Sequence, residues 1–340
     1  MFHPGLPDKF VNVASIFLSK LINRAKKIQN LQVRSIMVIR QDEIGDMCYS
    51  THAFALLKKH YPTAKITVWC KPAAASLIQH DPNIDFIIKD DKPEGYIYDL
   101  IVDLRGKWEG IFYALLNMPS YRLERGAVRL KNKGKQPHES ETIYQIIKPA
   151  IGDIPSELPQ LYASPLEISQ ATDFINENRL NRFVVLHTQV KRVLRQWPEE
   201  RFAAVAVFFK KTYNLDIVFC GDNSELAGIE RVQKMIPFTT YNAAGKLNLG
   251  AFKVLCERAQ FFIGNDSSPL HIASLSGVPA LGLFGPGQSD TFYPLGDKSG
   301  LLHHILPCHP CTQIKCKQEL PCMKRITIDE VKSKIEELIN

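Results

Sequence analysis

Along most of its length the chain alternates between short apolar runs and longer amphipathic stretches, and no other feature limits its fold as strongly. Ser35–Arg40 (SIMVIR) reads as a buried strand, and Lys65–Cys70 (KITVWC), Asp85–Ile88 and Asp99–Leu104 read as strands. Asp46–His60, Ala73–Gln79 and Trp108–Leu116 read as helices between or after them. Such a βαβ succession implies a parallel sheet covered by helices on both faces. The Pro-rich, weakly periodic stretch from about Ile151 to Pro165 reads as a linker. The alternation then restarts, with strands expected at Arg182–His187, Leu215–Cys220, Phe261–Gly264 and Val278–Phe284. Helices are expected at Pro198–Tyr213, Ser224–Met235, Leu249–Arg258, Pro269–Ser276 and Thr327–Ile339. The expected class is therefore α/β, with two Rossmann-like doubly wound parallel-sheet domains facing a cleft and the chemistry on loops at the strand carboxyl ends. The expected boundaries are 1–34 for an N-terminal amphipathic helix, 35–160 and 161–306 for the two domains, and 307–340 for a Cys-rich segment with a final helix.

The 340 residues suffice for two or three domains, and 45% hydrophobic with 23% charged residues excludes disorder, collagen and coiled coil. The net charge of +7 is local. Residues 1–34 hold six basic and one acidic side chain, residues 122–135 hold the same, and Lys191, Arg192 and Arg195 form a third cluster. Local clusters point to defined anionic partners. From Asp8 to about Asn30 the spacing predicts a helix whose apolar stripe is Phe10, Ala14, Phe17, Leu21, Ala25 and Ile28, flanked by Val13, Leu18 and Ile22. Lys20, Arg24, Lys26 and Lys27 lie on its other side. That stripe serves a helix lying on an anionic membrane surface and equally one packed on the domain behind it. No apolar run approaches the ~18–20 residues that span a bilayer, and Met1–Leu31 lacks a secretory h-region, so a cytoplasmic protein is expected. The basic clusters come without a recognition helix or an RNA-binding aromatic motif, which disfavours nucleic acid as partner.

Three loops carry candidate chemistry. Gln41–Asp46 (QDEIGD) follows the first strand; Gly45 permits a tight turn, and Asp46 either acts as a general base on a bound hydroxyl or merely caps the next helix. It is not G-x-G-x-x-G, so a dinucleotide cofactor has little support. His187–Pro198 (HTQVKRVLRQWP) places three cations before a helix, an arrangement suited to a diphosphate and also found in solvated basic loops. Gly264–Pro286 (GNDSSPLHIASLSGVPALGLFGP) opens a helix at Asn265-Asp266-Ser267-Ser268, where free backbone N–H groups and hydroxyls make an anion site. Asp266 is the expected cap of that helix, with His271 on its first turn.

Cys48, Cys70, Cys220 and Cys256 sit in apolar runs and read as inert core thiols. Cys308, Cys311, Cys316 and Cys322 crowd together near the end of the chain. Four thiolates at such spacing suit a tetrahedral structural Zn²⁺ or an iron site, although the spacing is shorter than in common zinc ribbons. Free thiols or disulfides are the alternatives, and either way the segment is expected to staple the loop before the last helix.

The combination of IxVIRxDxIGD, RQWPEERF, GNDSSPLHIASLSGVPALGLFGP and the Cys-rich tail resembles glycosyltransferase family 9, the ADP-heptose:lipopolysaccharide heptosyltransferases. YDLIVDLRGKWEGIFYALL (Tyr98–Leu116) is similar to a mid-domain segment of that family, and the similarity runs from about Ser35 to Glu337. The resemblance implies a GT-B fold with an acceptor-side first domain and a donor-binding second domain. It further implies inverting transfer from an ADP-sugar to the lipopolysaccharide core or lipid A, at the inner face of the bacterial inner membrane and without a catalytic cofactor. Asp46 matches the catalytic Asp, and Gly45, Arg122 and Arg125 fall on the acceptor side. Arg195 stands where the family usually has a diphosphate-contacting Lys, in a donor loop that includes His187, Thr188 and Lys191. Asp266-Ser267-Ser268 replaces the family's Asp-Thr-Gly, His271 matches its His, and Asn223 and Leu247 fall near its nucleoside pocket. A transferase or epimerase using another donor, such as a UDP-sugar, is the alternative.

Overall fold

Every strand pairing in the computed structural model, among the described residues, is parallel. The structure describes residues 6–24, 26–89, 93, 97–132, 137–309, 311, 313, 315, 316 and 318–339. Ala25 of the expected α1 stripe and residues 133–135 of the second basic cluster lie outside them. The chain divides into two units, residues 1–160 and 161–340.

In the first unit, helix α1 (Leu6–Ile22) precedes β1 (Ser35–Arg40), α2 (Ile44–Cys48), α3 (Thr51–His60), β2 (Lys65–Cys70), α4 (Pro72–Ile78) and β3 (Phe86–Lys89). Then come β4 (Leu100–Asp103), α5 (Trp108–Asn117), β5 (Tyr121–Glu124), α6 (Arg125–Lys131) and α7 (Glu139–Ile151). The sheet order is β3-β2-β1-β4-β5. All six residues of β1 are buried, as a strand covered on both faces requires.

The expected stripe on α1 is not the face it buries. Val11, Leu18 and Ile22 pack with Met37, Ile39, Ile101, Ile111 and Ala114, whereas Phe10, Phe17 and Leu21 are exposed. The reason is polar. Arg122 on β5 is 1% exposed; its Nη2 donates to Asp103 Oδ2 at 2.7 Å, and its Nη1 donates to Ser15 O, Ser15 Oγ and Ser19 Oγ at 2.8–3.0 Å. A buried guanidinium needs these partners, so α1 turns its serines inward. The helix stops at Ile22 because the Asn23 amide pairs with the Arg122 backbone, donating to its O and accepting from its N–H, both at 2.8 Å. Ile28 is buried in a separate 3-10 turn.

The second unit runs through α8 (Pro165–Glu177), β6 (Phe183–His187), α9 (Glu199–Tyr213), β7 (Asp216–Phe219), α10 (Leu226–Lys234) and β8 (Tyr241–Asn242). It continues with α11 (Leu249–Arg258), β9 (Phe261–Asn265), α12 (Ser268–Leu275), β10 (Ala280–Phe284), α13 (Ser289–Phe292), β11 (Ser299–His303), α14 (Pro321–Arg325) and α15 (Ile328–Ile339). Its sheet order is β11-β10-β9-β6-β7-β8. Met323, Ile326, Val331 and Ile335 from the end of the chain pack into the core of this unit beside Phe202, Phe209 and Leu283. The expected linker ends at α8, whose start is written in the sequence: the Ser164 hydroxyl accepts from Glu167 N–H, the Glu167 carboxylate accepts from Ser164 N–H, and Pro165 occupies the first turn.

The Arg122–Asp103 pair sets a stability expectation. Arg122→Met strands a buried carboxylate and should cost about 3–5 kcal/mol in urea unfolding, with part of the loss recovered in Arg122→Met/Asp103→Leu. No recovery in the double variant would show that the cost lies in packing rather than in the unpaired charge.

Candidate active site

In the first unit the chemistry gathers after β1. Asp46 lies in the first turn of α2, whose N-cap position is Glu43, so Asp46 is not the cap. Gly45 is buried in the same short helix. The chain breaks at Tyr49–Ser50 before α3, where a single helix was expected, and the Ser50 hydroxyl donates to Asp46 O at 2.9 Å.

Arg40, the last residue of β1, reaches three carboxylates. Its Nη2 donates to Glu139 Oε1 at 2.6 Å, its Nη1 lies 3.1 Å from Asp42 Oδ2, and its Nη2 lies 3.6 Å from Asp46 Oδ1. Arg125 donates from Nη1 to the same Glu139 Oε1 at 2.6 Å and from Nη2 to Oε2 at 2.5 Å. Burial alone would raise the Glu139 carboxyl, but Arg125 and Arg40 hold it down to about 2. Asp46 has the longest of the three contacts to Arg40, and there burial wins: its carboxyl is pushed up to about 6, with Arg40 and Arg125 opposing and Asp42 and Glu139 reinforcing the rise. A buried Arg shared among carboxylates thus leaves one of them ionised near neutrality yet loosely held.

This network corrects the acceptor-side expectations. Arg122 is buried against Asp103 and α1, so it offers no surface to an acceptor. Arg125 is committed to Glu139. The basic stretch from Arg122 to Lys131 folds into β5 and α6, with the Glu124 carboxylate accepting from the Gly126 and Ala127 N–H groups to cap the helix.

In the second unit the expected donor residues gather at the carboxyl ends of β6 and β9. Arg195 lies on a 3-10 turn (Val193–Arg195), and its Nη1 pairs with Asp266 Oδ2 at 2.9 Å and donates to Asp266 O at 3.3 Å. Asp266 therefore does not cap α12; the N-cap position is Ser267. Burial raises the Asp266 carboxyl, with Arg195 and then Arg192 opposing. The Ser267 hydroxyl lies 3.1 Å from His187 Nδ1 and donates to Asn265 O at 3.2 Å, so no side chain caps the first turn of α12. Pro269 brings no N–H to this first turn and the Leu270 N–H donates to Ser267 O at 3.1 Å, so few backbone donors remain there and the held Arg195 guanidinium is the main positive group beside it. Ser268 begins α12, and His271 is buried on it with its ring centroid 6.4 Å from that of Phe292. His187 Nε2 is 3.3 Å from Glu225 Oε2, and Thr188 is buried.

Other expected donor residues lie around this core. Lys191 is exposed and pairs with Asp222 at 3.1 Å. Asn223 sits on a 3-10 turn against Gly245, whose φ of +71° and missing Cβ leave room for the Asn223 amide. Leu247 packs against Ala171, Ala251 and Val254.

Sequence reasoning missed five supports. Asn265 Oδ1 accepts from Trp197 N–H at 2.8 Å, and the buried Trp197 ring donates from Nε1 to Ile326 O at 3.0 Å, locking the Arg195 loop to β9 and to the end of the chain. Gln313, from the Cys-rich segment, accepts from Arg195 Nε at 2.7 Å. In the first unit, Arg40 and Glu139 were missed in the same way. For Arg40 and Asn265 the available signal was a polar residue closing an otherwise apolar strand; Glu139 and Gln313 carry no such mark.

Cys48, Cys70, Cys220 and Cys256 are buried and form no disulfide, as expected. Cys308, Cys311, Cys316 and Cys322 likewise form no disulfide, and all four line one cavity with His303 and His309. The Gln313 N–H donates to Cys311 Sγ, and those of Gln318 and Leu320 donate to Cys316 Sγ, at 3.3–3.4 Å. Among the described residues, however, no three His, Cys, Asp or Glu side chains are disposed to hold a metal ion. As arranged, the four thiols do not form the tetrahedral ligand set that a structural Zn²⁺ or iron requires.

Comparison with known proteins decides the family. Residues 128–321 match the model of glycosyltransferase family 9 (heptosyltransferase). The chain belongs to glycosyltransferase family 9. This family member is 25% identical over 280 residues to the lipopolysaccharide core heptosyltransferase OpsX of Haemophilus influenzae, covering 74% of this chain and 79% of that one. Among solved structures it is similar to a family 9 glycosyltransferase from Veillonella parvula, with a TM-score of 0.76 and 20% identity over 90% of this chain and 97% of that one. It is also similar to ADP-heptose lipopolysaccharide heptosyltransferase II of Escherichia coli, with a TM-score of 0.70 and 20% identity over 90% and 98% of the two chains. The GT-B-like pair of parallel-sheet units and the glycosyltransferase activity follow from this membership.

The Arg40 network makes a sign prediction for Asp46. In a ¹³C-carboxyl titration Asp46 should titrate near 6. Glu139→Gln and Asp42→Asn should each move it down toward the ordinary carboxylate range, because each removes a like charge and releases Arg40 toward Asp46. An upward or absent shift in both would mean that Arg40 does not respond to its competing partners.

Proposed function

We propose that this glycosyltransferase moves a heptose from ADP-heptose to a hydroxyl of a lipopolysaccharide core acceptor, with inversion at the anomeric carbon. The family's lipopolysaccharide heptosyltransferases supply the substrate class. The observation that carries the mechanism is Asp46, a carboxyl held loosely beside Arg40 and poised near neutrality. In this reading Asp46 takes the proton from the acceptor O–H as the acceptor oxygen bonds to the anomeric carbon. The bond from that carbon to the diphosphate oxygen breaks, and its electron pair leaves with ADP. Proton transfer of this kind contributes about 10²–10⁴-fold.

The leaving diphosphate gathers negative charge, which in this reading Arg195 stabilises, with the N-terminus of α12 beside it. Asp266 and Gln313 position Arg195, and Asn265 with Trp197 fixes the loop that carries it. Arg in place of the family's usual Lys brings a planar fork that engages two such partners at once. Asn223 and Leu247 form the nucleoside side of this reading, His271 a donor residue on α12, and Lys191 an outer cation. Ser268, where the family has Gly, keeps a hydroxyl at the helix start. A lipid-borne acceptor would place the enzyme peripherally at the inner face of the bacterial inner membrane. No helix among the described residues is long and apolar enough to cross a membrane. The Cys-rich segment serves this reading as scaffold, through Gln313.

Two variants test the division of labour. Asp46→Asn should lower transfer by about 10²-fold or more while ADP affinity measured by calorimetry stays within about twofold; loss of ADP binding would make Asp46 a structural residue. Arg195→Gln should weaken ADP by about 10–100-fold, the worth of charge-assisted contacts to a diphosphate. Nucleotide-sugar profiling in which a UDP-sugar outcompetes ADP-heptose would overturn the donor assignment.

A further inference from the structure

The outward face of α1 has no place in the reaction, and it is strongly apolar. Phe10, Val13, Phe17 and Leu21 recur at helical spacing and stand 50–73% exposed. Beside it α5 shows a second stripe: Trp108, Phe112, Leu115 and Leu116, 41–69% exposed. Both helices pack on the same side of the first unit's sheet, Val11, Leu18 and Ile22 from one and Ile111 and Ala114 from the other sharing one core with Met37, Ile39 and Ile101. Their outer stripes therefore point away from the sheet in the same sense. Isolated exposed apolar residues are ordinary; two neighbouring helical stripes with four aromatic rings are not.

The charges around this face choose the occupant. Between Phe10 and Gln41 the chain carries Lys20, Arg24, Lys26, Lys27 and Arg34 besides the buried Arg40, and no acidic residue; the one acid in α1 is Asp8, ahead of that span. Lys20, Arg24, Lys26 and Lys27 are all exposed. Lys26 Nζ donates to Ser120 O at 3.0 Å, which sets a cation just past the end of α5. Glu109, the acidic residue on α5, is paired with Arg105 at 3.8 Å. A twofold contact between copies would press the same cations together. A bilayer bearing anionic headgroups answers both the apolar stripes and their basic border.

We propose that the α1–α5 face seats the enzyme on an anionic lipid surface, the aromatic stripes entering the boundary between headgroups and acyl chains and the basic residues meeting the headgroups. The inference rests on the reading that the acceptor is carried by a lipid, and it names the surface by which the enzyme reaches it. The docking of α1 through Arg122 then has a purpose: with its serines and Val11, Leu18 and Ile22 turned inward, the larger apolar side chains remain outside.

The test compares wild type, Phe17→Glu, Phe112→Glu and the double variant in sedimentation with vesicles of phosphatidylcholine alone or with one-third phosphatidylglycerol. Wild type should sediment with the anionic vesicles and much less with the neutral ones, and the double variant should bind the anionic vesicles about tenfold or more weakly. Both positions are exposed, so circular-dichroism melting should be unchanged, and transfer to a deacylated soluble acceptor should match wild type. Equal vesicle binding by wild type and double variant overturns the proposal. So does a wild-type dimer that the double variant converts to monomer in analytical ultracentrifugation without any effect on vesicle binding, which would make the face a contact between copies. If wild type transfers to neither soluble nor vesicle-borne acceptor, the transferase reading fails, while the vesicle measurement still decides the surface.

Discussion

A parallel strand ends on the opposite side of its sheet from where the next one begins, so each connection must cross back over a face, and in this chain helices make most of those crossings. Both sheets are parallel throughout their described pairings. The strand interiors are consequently apolar on both faces, as in β1, β6 and β9, and polar groups are pushed to the carboxyl ends. Arg40 ends β1, His187 ends β6 and Asn265 ends β9. The residues assigned to proton transfer and to the diphosphate follow those ends within a few positions. The chemistry lies where the topology leaves polar groups a place to be.

What happens at the end of β1 shows how a buried charge can be useful without being a large source of stability. Arg40 is almost wholly inaccessible and its charge requires partners. Glu139 and Asp42 meet most of that need at 2.6 and 3.1 Å, which lets Asp46 remain at 3.6 Å. Had Arg40 paired with Asp46 alone, the carboxylate would be a weaker base and more firmly fixed. The three-way sharing separates two tasks that a single ion pair would merge. Arg195 is handled in a similar way, with Asp266 and Gln313 holding it in place.

The strands and most helices of both units could be read from periodicity, because burial on two faces writes long apolar runs and amphipathic helices write a period of 3.6. Leu249–Arg258 was legible to the residue. The helices α6, α7 and α8 were not, since Arg125–Lys131 looks like a charged loop and Pro149 lies inside α7. The capping box at Ser164 and Glu167 was a usable sign that was passed over. On α1 the pattern offered two apolar faces, and period alone could not choose between them; Arg122, about a hundred residues away, made the choice through Ser15 and Ser19. Asp46, Arg195 and Asp266 stood in recognisable loops. Their controlling partners Glu139 and Gln313 stood far off in unremarkable sequence, where only tertiary contact gives them meaning.

The same reasoning changes what the basic clusters signify. A count of charges treats Arg122, Arg125 and Lys20 alike, yet burial divides them. Arg122 and Arg125 spend their charge inside the first unit on Asp103 and Glu139, so these two members of the second basic cluster are internal wiring, whereas Arg129 and Lys131 are exposed. Lys20, Arg24, Lys26 and Lys27 remain exposed, at the end of a helix whose outer face is apolar. A desolvated cation organises its neighbours, whereas a solvated one beside exposed aromatics recruits an outside partner. The excess of positive charge therefore does two different jobs in one unit, and burial, not net charge, separates the part that builds the site from the part that faces outward.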